Sequence, residues 1–227
     1  MTTAIENMFK DKVLGHPAGL FVLFFTEMWE RFSYYGMRAL LVMFFTASLL
    51  DGGWGWPREH AYAIFGTYTS LVYLSTLLGG YFADKKIGYR YAVVIGALLM
   101  TLGHGAMAVE TPFFIYLGLT LLVFGSGFFK PNMTSIISEM YKGKDEKKDG
   151  AYTIFYMGVN AGAFLGILLC GYLGEQIGWR WGFGCGCCFG CGCGCCCCWL
   201  WWWLLLLSLS LSLSSSSLLL LLLLLLL

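Results

Sequence analysis

The chain has 227 residues, 59% hydrophobic and 12% charged, with net charge +1 and mean hydropathy +0.73. Soluble domains carry about 25% charged residues, so a water-facing globular surface is excluded. The near-zero net charge also excludes the basic field that nucleic-acid binding needs. Apolar runs of about 20 residues, separated by short polar connectors, read instead as membrane-spanning helices. The N-terminal stretch before His16 is polar and lacks the apolar core and small-residue cleavage site of a signal peptide.

Helix one is expected over residues 18–49, longer than a ~30 Å hydrocarbon core requires, so it should tilt or protrude. It carries Glu27, Glu30, Arg31 and Arg38 between His16 and Asp51. Insertion of Asp, Lys or Arg at mid-helix costs about 2.5–3.5 kcal/mol, so charges there are rare and usually functional. At about 100° per residue, Glu27, Glu30, Arg31, Tyr34 and Arg38 share an arc roughly 100° wide. The i+3 and i+4 spacings let both carboxylates reach the Arg31 guanidinium. That stripe cannot face lipid; it lines a protein interior or a wet cavity, where acids beside an arginine can exchange protons. An ion-pair cluster that only fixes helix packing is the alternative. The Tyr34-Tyr35 pair and Arg38 on the same side favour function.

Helix two is expected over 60–82, helix three over 91–109, helix four over 112–139 and helix five over 150–173. Helix six begins near Trp179. Lys10, Lys12, Lys85, Lys86, Arg90, Lys142, Lys144, Lys147 and Lys148 fall on one set of connectors, and only Arg58 and Arg180 on the other. That asymmetry puts the N-terminus in the cytoplasm of a multi-pass inner (plasma) membrane protein.

Lys130 stands inside helix four, in Gly125-Ser-Gly-Phe-Phe-Lys130-Pro131-Asn132. Small residues there allow close helix approach and Pro131 removes a backbone donor. A lysine snorkelling to the interface is the plain reading. The continuation through Ser135-Ile-Ile-Ser138 puts it well inside the helix, where an ammonium needs an anion from protein or substrate. The connector Gly79-Gly80-Tyr-Phe-Ala-Asp84-Lys85-Lys86-Ile-Gly88-Tyr-Arg90 is a short charged turn. Asp84, Lys85 and Arg90 could clasp neighbouring helices through ion pairs, or the turn is an ordinary solvated loop. In helix five, Asn160 sits among small residues and suits an interhelical hydrogen bond; Gly158 and Gly162 form a small-xxx-small packing face.

Together these segments resemble the proton-dependent oligopeptide transporter family of the major facilitator superfamily. Glu27 to Gly36 is similar to the family's ExxER motif followed by Tyr-Tyr-Gly. Gly80–Arg90 resembles the superfamily's helix-two/three signature, and Phe129-Lys130-Pro131-Asn132 and Phe155–Gly162 resemble two further family patterns. The four occur in the family's order across residues 1–184. The resemblance implies that Glu27 and Glu30 are protonation and coupling sites and that Arg31 holds them and approaches a peptide carboxylate. It implies that Tyr34 and Tyr73 line the pocket, that Lys130 pairs with an acid or the substrate carboxylate, and that Asn160 contacts the peptide backbone. Some animal members carry a histidine where Gly66 stands, which leaves the glutamates as the proton sites. His104, between two glycines, is expected to be a packed, hydrogen-bonded, neutral side chain; His16 and His60 read as helix-end residues.

The resemblance ends near Gly184. Residues 185–227 are a low-complexity tail of Cys/Gly, Trp/Leu and Ser/Leu, with no charge after Arg180. Cys188-x-x-Cys191 lies in a run so biased that any spacing matches, and a metal site is not expected there. The expected fold is therefore an all-α polytopic membrane protein: a six-helix N-terminal transporter bundle over 1–184, helix six incomplete, followed by the tail. The implied function is proton-coupled symport of di- and tripeptides by alternating access. Protons, small peptides and the lipid bilayer are its partners, and no cofactor is needed beyond the proton. The family's pocket lies between two six-helix halves, so a complementary C-terminal half is a further expected partner, and the chain alone is not expected to complete the cycle. The competing reading is a truncated or artificial helical membrane bundle that does not transport. No nucleophile–base pair or metal-ligand set supports a membrane enzyme.

Overall fold

The computed structural model describes residues 12–13, 15–143 and 145–185. The expectations for the low-complexity tail, including Cys188 and Cys191, lie outside the described residues. A two-residue hairpin, β1 (Lys12–Val13) and β2 (His16–Pro17), precedes six helices: α1 (Ala18–Thr46), α2 (Arg58–Phe82), α3 (Tyr89–Met107), α4 (Pro112–Met140), α5 (Asp145–Gln176) and α6 (Trp179–Cys185). Four of these, with α2 continued by a π turn over Ala83–Ile87, are long and apolar enough to cross a membrane. At 29 residues α1 is also long enough to cross, but Glu27, Glu30, Arg31 and Arg38 dilute its hydropathy.

The expected elements are all present, with shifted ends. Helix one was expected to reach residue 49 but stops at Thr46, and a 3-10 turn at Leu49–Asp51 follows, capped by the Ser48 hydroxyl accepting from the Leu50 amide. Helix five begins five residues before the expected 150, and Glu146 in its first turn suits the positive end of a helix. Pro112 opens α4 at a position where its missing N–H costs nothing.

Backbone proximity organises the bundle. Gly158, Gly162, Gly166 and Gly174 of α5 face Phe24, Met28, Phe32 and Leu40 of α1, so the two helices run parallel in a register four residues per step. A Cβ at Gly162 would collide with the Met28 carbonyl. In a membrane, where burial of apolar surface gives little drive between helices, such close packing is what holds them together. α2 lies parallel to α4 in the same manner: a Cβ at Gly79 would strike the Gly127 carbonyl. Pro131 has no N–H to give that carbonyl, and Ser75 Oγ donates to the Val123 carbonyl at 2.7 Å one turn away.

The two ends differ. At one, His16 Nδ1 lies 2.7 Å from the Tyr141 hydroxyl and Lys147 Nζ lies 3.5 Å from the Gly15 carbonyl, joining the start of α1 to the α4–α5 connector. At the other, Phe44, Phe45, Trp54, Trp56, Trp179 and Phe183 form an aromatic cluster, and Trp179 Nε1 donates to the Asp51 carbonyl at 2.8 Å. Aromatic residues with a polar tip are favoured at the membrane boundary.

Candidate functional site

The middle of α1 supplies the charged site. Arg31 donates from Nε to Glu27 Oε1 at 2.7 Å, and a terminal guanidinium nitrogen reaches the same oxygen at 2.5 Å. The same Nε lies 3.2 Å from Glu30 Oε2. Glu27 is 2% exposed and Glu30 6%. Gly162 of α5 backs directly against Met28 and the Arg31 Cβ, so the helix is held from behind where it carries its charges.

Lys130 reaches this cluster from α4. Its Nζ sits 4.0 Å from the centre of the Tyr34 ring, and Glu27, Glu30, Arg31 and Arg38 are all within electrostatic range. Among the described residues it has no ion-pair partner within 4.0 Å. Arg38, expected on the same stripe, turns to α2 and places its guanidinium 4.9 Å from the Phe65 ring centre. Glu27 Oε2, both Glu30 oxygens and the Tyr34 hydroxyl are buried without a hydrogen-bond partner among the described residues.

The remaining expected residues are more dispersed. Tyr73 is 65% exposed on α2, yet close enough to influence Tyr34 electrostatically. Asn160 is exposed on α5. Asp84 and Lys85 are exposed in the π turn and Arg90 is half-buried at the start of α3, away from the charge cluster. Lys85 rests on the Tyr81 ring at 4.6 Å, and no ion-pair clasp involves Asp84 among the described residues.

Sequence reasoning missed Tyr68, which is buried on α2 with its hydroxyl unpartnered among the described residues and with Tyr34, Glu30 and Arg38 in electrostatic range. The signal was its place on the stripe Ala61, Tyr68, Val72, Ser75, Gly79, the face that α2 buries. His104 is packed and buried as expected, but the expected hydrogen bond is not made at Nδ1. One turn earlier, Thr101 Oγ1 donates to the Ala97 carbonyl.

A profile of the POT family matches residues 90–192. The chain is 45% identical over 168 residues to the peptide transporter YePEPT of Yersinia enterocolitica, which covers 73% of this chain and 33% of the relative. It is 40% identical over 176 residues to a di-/tripeptide transporter of Lactococcus lactis, covering 75% of this chain and 35% of that one. The recognisable part of this chain belongs to the POT family. A solved POT family transporter in complex with a thioalcohol-conjugated peptide superposes with a TM-score of 0.79 at 33% identity, covering 89% of this chain and 40% of that one. The chain thus spans about a third of the length of the curated relatives it matches.

Proposed function

We propose that the chain supplies the proton-coupling part, and one wall of the peptide pocket, of a proton-driven di- and tripeptide symporter. The observation that carries this reading is the buried Glu27–Glu30–Arg31 cluster with Lys130 beside it. With both glutamates ionised, two negative charges meet the two positive charges of Arg31 and Lys130. Binding one proton leaves an excess of positive charge, which a peptide carboxylate neutralises. Buried charge that is not matched is expensive, so proton and peptide favour each other's binding. Asp84, Lys85 and Arg90 act in this reading at the far connector, and Tyr73 and Asn160 on exposed faces meet peptide or a second, complementary half.

The names of the relatives support peptides as the substrate class. Uptake of a labelled dipeptide into liposomes under an inward proton gradient tests it. Uptake is expected when the chain is reconstituted with a complementary half of a POT family transporter. Uptake that ignores the proton gradient, or none in any assembly, contradicts it.

A further inference from the structure

Glu30 borders a cavity of about 60 Å³ lined by α1, α3 and α4. Polar side chains, Glu30 and His104 among them, converge there in a mostly apolar lining that includes Trp29, Met100, Leu122 and Phe129. Such a volume holds about two to four waters. Glu30 Oε1, on α1, and His104 Nδ1, on α3, are buried without a hydrogen-bond partner among the described residues, while Glu30 Oε2 lies 3.2 Å from Arg31 Nε. A buried polar atom left unsatisfied costs free energy, and ordered water can satisfy it where the space is large enough and several polar groups converge.

We propose that this cavity is a hydration site in which a short water chain links the Glu30 carboxyl to His104, making His104 a positioning residue for the proton on Glu30. The inference rests on the reading of Glu30 as a proton site. The neutral imidazole accepts at Nδ1 from the last water, while the first water meets a Glu30 oxygen. The other ionisable groups around Glu30 are Glu27, Arg31 and Tyr34 on its own helix, Tyr68 on α2 and Lys130 on α4. α5 meets α1 there through glycine. His104 is thus the ionisable group that α3 contributes to this cavity.

Infrared difference spectra after a pH jump, recorded on the full chain in H2(16)O and H2(18)O, test this. Isotope-sensitive bands of internal water are expected, together with a carboxyl C=O band assigned to Glu30 by its loss in Glu30→Gln. His104→Leu should remove the water bands and shift the carboxyl band, whereas His104→Gln, which can still hydrogen-bond, should keep both. Ser126→Val, which fills the cavity from α4, should act like His104→Leu and serves if that variant does not fold. Water bands that persist in both apolar variants, or that are absent from the unsubstituted chain, overturn the proposal. A missing Glu30 band with the water bands intact would instead sink Glu30 as the proton site and leave the hydration site standing.

Discussion

Lys130 lies on the face of Tyr34, its Nζ 4.0 Å from the ring centre, and this contact joins α4 to the charged stripe of α1. A cation over an aromatic ring gains about 0.5–2 kcal/mol, depending on its exposure. Loss of one member of a closed buried ion pair costs about 3–5 kcal/mol. Lys130→Gln should therefore destabilise by about 1 kcal/mol, read as a small thermal shift in detergent. A large shift would reveal an internal anion for Lys130 and weaken the need for a substrate carboxylate.

The α1–α5 contact makes a paired prediction. Gly162→Val places side-chain atoms where the Met28 carbonyl lies, and should cost about 1–3 kcal/mol or part the helices. Gly171→Ala, which meets nothing within 4 Å, should be neutral or slightly stabilising. Equal thermal shifts in the two variants would show that the parallel register is not what holds α5.

Topology follows from the two ends. In a background without native cysteines, Lys85→Cys and Lys142→Cys should react with an impermeant reagent from one side of the membrane, and Arg58→Cys and Glu110→Cys from the other. The start of α1 and the end of α4 are joined by His16 and Tyr141, which fixes Lys142 to the N-terminal side. Labelling of Lys142→Cys and Arg58→Cys from the same side would contradict the six-helix arrangement.

Tyr141 gives a pH prediction. Burial pushes its phenol from 10.0 up to about 12. Because the folded value is the higher one, its contribution to stability is intact below pH 10 and is lost as pH rises through the window to about 12. Tyr141→Phe should lose the His16 contact, worth about 1 kcal/mol at neutral pH, and should then show a shallower fall in thermal stability across that alkaline window. An identical alkaline slope in both proteins would show that Tyr141 does not carry it.

Much of this arrangement was legible before the structure. Long apolar runs locate the helices because a bilayer imposes their length, and the i+3 and i+4 spacing places Glu27, Glu30 and Arg31 together because helix geometry leaves no other outcome. Positions set by a partner helix were harder to read. Gly158 and Gly162 marked a packing face on α5, but not that Phe24 and Met28 would be its partners. Arg38 shares the stripe by angle, yet a ring on α2 draws it aside. Tyr68 and His104 depend on which faces α2 and α3 turn inward, which a single helix does not determine.

The most direct test of the coupling site compares two activities of one reconstituted assembly containing this chain. Glu27→Gln and Glu30→Gln should each abolish dipeptide uptake driven by a pH gradient while leaving counterflow exchange largely intact. Equal loss of both activities would contradict proton coupling at this cluster and assign Glu27, Glu30 and Arg31 to helix packing.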